Sequence, residues 1–190
     1  TNPILGILVG VVVTVVIQSS SASVGILQAL ANSGVIGLSS AVFVLFGQNI
    51  GTCITAVLAS IGTSRSAKRA TIIHLMFNVI GTVIFTFLFI LFPIAHVIDG
   101  QIPVAGLSGI LPSTPAGQIA LVHTSFNIVT TLLLLPLGNY LAKAAVRILP
   151  DRPGDEVDQM HLEYLTPIQI SSKDGGLGVS AIYVDQMQHE

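Results

Sequence analysis

The stretch Gln18-Ser19-Ser20-Ser21, with Ser23 just beyond it, sets serine hydroxyls and an amide between two short apolar runs, Ile4–Ile17 and Ala22–Ala31. Where one helix stops and another starts, the first backbone N–H groups of the second have no intrahelical partner. Here those would be the N–H groups of Ser20 to Ser23. Free N–H groups at the positive end of a helix dipole attract anions. The carbonyls that close the first run, together with hydroxyl oxygens, suit a hard cation such as sodium. Discontinuous helices near the bilayer midplane divide binding in this way. A serine-rich turn that merely caps two helices has the same composition, so the residues alone leave both readings open.

Two further polar groups interrupt apolar sequence. Gln48 and Asn49 stand between Gly47 and Gly51, and Thr52 and Thr55 follow with hydroxyls on one helical face. Amides and hydroxyls there can extend a binding site. The glycines either loosen the helix or let a neighbouring helix approach closely, as Gly-x-x-x-Gly pairs do. The motif His-x-x-Phe-Asn occurs twice, at His74–Asn78 and His123–Asn127. Each His and Asn at i and i+4 share a face, suited to interhelical hydrogen bonds or to an ion path through the membrane.

The elements that must position these groups are helices in lipid. Charged residues make up 8% and apolar residues 52% of the chain, against about 25% charged in an ordinary soluble domain, and mean hydropathy is +0.85. No Lys, Arg, Asp, Glu or His precedes Arg65, and Asp99 is the one acidic residue before Pro150; the acidic residues otherwise cluster from Asp151 onward. An all-α polytopic membrane fold follows. A spanning helix needs about 20 apolar residues, and residues 70–92 and 118–142 meet that. Residues 3–33 are two half-length helices around a polar tip, a re-entrant hairpin. Residues 35–62 are long enough to span, with an expected break at Gly47–Thr52. Irregular backbone at membrane depth is tolerated where protein or a watery cavity satisfies it.

Basic residues cluster at Arg65, Lys68 and Arg69 and again at Lys143, Arg147 and Arg152, with two spanning segments between. Both clusters then face the cytoplasm, the stretch 93–117 lies outside, and the hairpin enters and leaves from that outer face. Residues 151–190 read as a cytoplasmic linker and the start of a further helical domain, with Val179, Ile182, Tyr183 and Met187 at helical spacing. The missing initiator Met suggests a piece of a longer protein. Gly25 and Gly34 offer flexible points in the hairpin. Cys53, the single cysteine, reads as a small packing residue.

Enzymatic chemistry finds no support: the hairpin region has no nucleophile–base pair, no cluster of metal-ligating side chains and no phosphate-cradling Gly-Lys-Ser/Thr loop. No cofactor and no nucleic-acid partner are expected. An anion at the hairpin tip meets only dipoles, and desolvating a divalent anion without a counter-charge is costly. Sodium bound beside it would supply that charge. Anion channels more often show rings of Lys or Arg.

Gln-Ser-Ser-Ser-Ala at 18–22, Gly-x-Asn-Ile-Gly-Thr at 47–52 and His-x-x-Phe-Asn at 74–78 resemble the type II sodium/phosphate cotransporter family, bacterial members in particular. The resemblance implies two inverted repeats, of which this chain is similar to the second, followed by the start of a PhoU-like region. It also implies sodium-coupled uptake of inorganic phosphate across the cytoplasmic membrane. Gln18, Ser19, Ser20 and Ser21 would line the phosphate and sodium sites, with Ser23, Gln48, Asn49, Thr52 and Thr55 close by. Sodium would be held through Ser20, Ser21, Asn49 and Thr52. A complementary first repeat, or a second protomer, would supply the other half. Gln48 stands where the family usually has a small residue, and would alter substrate preference or pack outward. A membrane phosphate sensor without net transport, and an anion channel or structural membrane subunit, are the competing readings.

Overall fold

The computed structural model describes residues 2–102, 104 and 109–151. Apart from Asp151, the linker and PhoU-like region expected over 151–190 lie outside the described residues.

Two short helices open the chain. Helix α1 (Pro3–Ile17) starts on an Asn2 cap, whose side-chain oxygen accepts from the N–H groups of Ile4 and Leu5, with Pro3 in the first turn. It ends at Gln18, the one described non-glycine residue with positive φ, 54°. That left-handed step reverses the chain. Helix α2 (Ser20–Asn32) then begins with Ser19 as its cap, the hydroxyl accepting from the Ala22 N–H at 3.3 Å. At 15 and 13 residues they are roughly 22 and 20 Å long, short of a bilayer core of about 30 Å.

Helix α3 (Leu38–Ala59) runs for 22 residues without interruption. The break expected at Gly47–Thr52 is absent. The glycines act by letting α1 touch α3 backbone to backbone. A Cβ on Gly47 would lie 1.9 Å from the Ile7 carbonyl oxygen, and one on Gly10 would lie 2.0 Å from the Val44 oxygen. A Cβ on Gly6 would meet the Phe43 Cβ at 2.9 Å, and one on Gly51 the Thr14 Cβ at 2.7 Å. The partner numbers rise together along both helices, so α1 runs parallel to α3. Helix α2 returns the chain to the start of α3, and the two ends of the α1–α2 hairpin share one end of the bundle. Thr52 and Thr55 keep the helix closed, their hydroxyls donating to the carbonyls of Gln48 (2.9 Å) and Thr52 (2.7 Å).

Helix α4 (Arg65–Leu91) follows a Ser64 cap and is 27 residues long; α5 (Ile94–Ile98) is one short turn after it. Helix α6 (Pro115–Leu134) begins on a Thr114 cap with Pro115 in its first turn. The span expected over 118–142 is not continuous. Leu135–Leu137 tighten into a 3-10 turn around Pro136, and the separate helix α7 (Gly138–Ile148) follows. Proline removes an N–H donor and crowds the preceding turn, which ends the α-helix there. By length and hydropathy, Leu38–Ala59, Arg65–Leu91 and Pro115–Ile148 can each cross a membrane.

The core gathers on Phe46, which is fully buried, with ring centroids 5.5–6.2 Å from Phe43, Phe85, Phe89 and Phe126. These rings join α3, α4 and α6. At the Asn32 end of α2, Gln28 donates to the Ala116 carbonyl (3.3 Å) and Asn32 accepts from the Ala116 N–H (3.0 Å), clasping the hairpin to α6.

Adding a methyl at the α1–α3 crossing should therefore be costly. Gly47→Ala is expected to destabilise the complete protein in detergent by about 1–3 kcal/mol through overpacking. Gly25→Ala, where a Cβ meets nothing within 4 Å, is expected to be neutral or stabilising by about 0.5–1 kcal/mol, as for Gly to Ala inside a helix. Thermal unfolding of the two variants side by side reads the difference, and equal stabilities would remove the close crossing.

Candidate functional site

The hairpin tip, the middle of α3 and the two His-x-x-Phe-Asn motifs line one half-open cavity of about 240 Å³. Ser20 and Val24 line it from α2, Asn49 and Thr52 from α3, His74, Phe77 and Asn78 from α4, and His123 and Asn127 from α6. Drug-sized ligands occupy pockets of roughly 300–1,000 Å³, so this one is on the scale of a small ion with a few waters. Its lining holds no Lys, Arg, Asp or Glu; the titratable side chains on it are the imidazoles of His74 and His123.

The polar groups around it are unevenly committed. Ser20 and Ser21 occupy the first turn of α2, and their N–H groups have no partner among the described residues, as expected at a helix start. The free set is narrower than Ser20 to Ser23. The Ala22 N–H is capped by the Ser19 hydroxyl, and the Ser23 N–H bonds the Ser19 carbonyl at 3.0 Å. Asn49 is 7% exposed, and its amide nitrogen is buried with no hydrogen-bond partner. A buried donor left unpaired costs about 1–3 kcal/mol, and Asn49 is one of the residues that line the cavity.

The two motif asparagines behave alike. Asn78 Nδ2 donates to the His74 carbonyl at 3.0 Å, and Asn127 Nδ2 to the His123 carbonyl at 2.9 Å. These bonds run within each helix; across helices the motif is met by Cys53 of α3, whose thiol donates to the His74 carbonyl at 3.7 Å. The reason for the intrahelical bonds is local: at i and i+4 the amide lies over the preceding turn, where that carbonyl is the nearest acceptor. Because the partner is a carbonyl, the bonded atom must be nitrogen, and each Oδ1 remains an acceptor. Donors from α2 and α3 and acceptors from α4 and α6 thus border one space.

Ser20, Asn49, Thr52, His74, Asn78, His123 and Asn127 are the sequence-derived candidates that converge here. The others are placed elsewhere. Gln18 forms the exposed turn, Ser19 caps α2, and the exposed Ser21 hydroxyl lies 3.4 Å from that of Ser19. Ser23 is fully buried, its hydroxyl 2.8 Å from that of Thr14. Gln48, expected to face outward or to meet substrate, packs inward at 2% exposure, and its amide donates to the Ser23 carbonyl at 2.9 Å. Thr55 bonds its own helix. Ser23 and Gln48 hold the hairpin tip against α3 and do not line the cavity.

Thr14, Val24 and Phe77 were not among the sequence candidates. Thr14 carried a legible signal: it is the one hydroxyl within Ile4–Ile17, and with Gly6 and Gly10 it forms a stripe at four-residue spacing that faces Gly47 and Gly51. Phe77 lay inside the repeated motif.

The family profile described as Na+/Pi-cotransporter matches residues 1–99. Among curated proteins, the uncharacterized protein YqeW of Bacillus subtilis is 38% identical over 144 residues, 76% of this chain and 43% of that protein. The sodium-dependent phosphate transport protein 2A of Rattus norvegicus is 37% identical over 84 residues, 41% of this chain and 13% of that protein. The putative inorganic phosphate export protein YjbB of Salmonella typhimurium is 26% identical over 149 residues, 78% of this chain and 25% of that protein. The chain therefore spans less than half the length of each of these relatives. No solved structure matches. With its apolar spanning helices and the family match over more than half its length, this chain is a multi-pass membrane protein of the Na+/Pi-cotransporter family, a family of transporters and not of enzymes.

Proposed function

We propose that this chain supplies half of the binding site of a sodium-coupled phosphate symporter in the cytoplasmic membrane. The observation that carries the reading is a small cavity bordered by unpaired donors and acceptors and lacking any fixed charge. Phosphate is recognised by the Ser20 N–H and hydroxyl and the Asn49 amide, all on residues that line the cavity. Sodium enters with it, held by oxygens around Ser20, Asn49 and Thr52, and cancels the charge that a dehydrated oxyanion cannot carry alone. His74, Asn78, His123 and Asn127 border the ion path. The relative from Rattus norvegicus is named for sodium-dependent phosphate transport, which supports the same cargo here.

In this reading α1 and α2 form a re-entrant hairpin, and a complementary repeat, from the same polypeptide or a second protomer, closes the open side of the cavity. The basic residues Arg65, Lys68, Arg69, Lys143 and Arg147 face the cytoplasm, as does the C-terminal tail. The direction of net transport has a second reading. The name of the Salmonella typhimurium relative, a putative inorganic phosphate export protein, favours outward movement; a symporter runs either way with its gradients.

Reconstituted in proteoliposomes, the complete protein is expected to move labelled phosphate in the direction of an imposed sodium gradient. Binding without flux would turn the assignment to a sensor, and flux indifferent to sodium would turn it to a channel. Within the site, Asn49→Ala is expected to raise the half-saturating phosphate concentration about ten- to a hundredfold, since a hydrogen bond to a charged group is worth about 1.5–3 kcal/mol. Thermal stability should stay near that of wild type, because the amide nitrogen has no protein partner to lose. Ser20→Ala should weaken phosphate or sodium affinity by a smaller factor. Unchanged half-saturation for both ions in both variants would remove these residues from the site.

A further inference from the structure

Helix α7 has no counterpart in the proposed transport site. Two of its residues, Leu141 and Ala145, are buried, and its far end is tied to the first turns of α4. Arg69 donates from both Nε (3.0 Å) and Nη2 (2.9 Å) to the Leu149 carbonyl, and Arg65 donates to the Pro150 carbonyl. The opposite face presents Tyr140, Lys143 and Arg147, all exposed, with Tyr140 at 69%. Spacings of three and four residues place them on one stripe.

The position of α7 relative to the bilayer follows from helix lengths. The 20 residues of α6 cover about 30 Å, a full hydrocarbon core. The 3-10 turn at Leu135–Leu137 then separates α7 from that span. α7 therefore starts where the apolar core ends. The 27 residues of α4 are about 40 Å, longer than the core, which sets Arg65, Lys68 and Arg69 beyond it at the same end. Two cation-bearing segments thus meet at the boundary. Asp99 and Asp151 are the carboxylates among the described residues, and Asp99 follows α5 at the far end of α4.

We propose that the Tyr140–Lys143–Arg147 face of α7 is an interfacial docking surface for anionic phospholipid headgroups. Charge complementarity and form both point to lipid. A tyrosine with two cations on a short helix, apolar on its other face, is the arrangement of an interfacial amphipathic helix, and long cationic side chains extend from such a site to headgroup depth. A basic surface beside a span gains roughly 1 kcal/mol per Lys or Arg from an anionic leaflet. Because Arg69 and Arg65 fasten the end of α7 to α4, lipid held on this face bears on the end of the span that carries His74 and Asn78.

The test is reconstitution of the complete protein in nanodiscs of phosphatidylethanolamine with or without phosphatidylglycerol, followed by native mass spectrometry and thermal unfolding. Wild type is expected to retain phosphatidylglycerol over the neutral lipid and to unfold at a higher temperature in its presence. Lys143→Gln with Arg147→Gln is expected to lower that retention about tenfold and remove the thermal difference, with unfolding in neutral nanodiscs unchanged. Should the double variant fail to fold, Lys143→Arg with Arg147→Lys must keep the preference. Equal retention of both lipids by wild type would overturn the proposal and give the face to another occupant, such as the acidic tail from Asp151 onward. A preference that survives in the double variant would overturn it equally.

Discussion

The direct contact between the backbones of α1 and α3 is the constraint on which the remaining geometry rests. Gly10 and Gly47 sit so close to the opposing carbonyls that no side chain fits between the helices. In a bilayer such contact matters more than hydrophobicity, because lipid tails offer apolar side chains as good an environment as another helix does. The crossing fixes α1 parallel to α3, which sets the height of Gln18 and Ser19, and hence of the first turn of α2. The Thr14–Ser23 hydroxyl pair and the Gln48 bond to the Ser23 carbonyl then hold that turn against the middle of α3. Without the glycines the tip would ride outward, and Ser20 would no longer share a space with Asn49.

That space gains its character from what the neighbouring backbone has already taken. Hydroxyls of Thr52 and Thr55 are turned to their own helix, and the nitrogens of Asn78 and Asn127 are spent on carbonyls one turn earlier. What is left is directional: unpaired N–H groups at the start of α2 and at Asn49, and amide oxygens from α4 and α6. A cavity made of oriented dipoles with no fixed charge favours a neutral set of ions over a lone one. In the proposed symport, coupling between an anion and its cation would then arise from electrostatics before any conformational change is invoked.

The aromatic cluster around Phe46 gives this arrangement its floor. It locks α3, α4 and α6 together, while the hairpin is held by close backbone contact, two side-chain bonds near the tip and the Ala116 clasp at its other end. α1 and α2 bring no aromatic ring to that cluster; the hairpin's hold on the bundle is the close backbone contact with α3 and the aliphatic packing of Leu27 and Ala31.

Much of this was readable from residue types. An unsolvated chain must close its backbone hydrogen bonds within helices, so long uncharged runs fixed the class of fold, and the serines after Ile17 marked the reversal between two helices too short to span. Each of the three polar groups chosen for chemistry sends part of its residues to one cavity: Ser20 from the first, Asn49 and Thr52 from the second, and the His and Asn of both motifs. Their division of labour was not readable. Whether Gly47 and Gly51 break a helix or admit a neighbour depends on the neighbour, and the answer lay in Gly6, Gly10 and Thr14, some 40 residues away. Gln48 and Ser23 carry the same polar atoms as Asn49 and Ser20, yet face the crossing and not the cavity. A helix places adjacent residues about 100° apart, and the packing of α1 and α2 on α3 decides which of them is spent on holding the fold and which is left for a ligand.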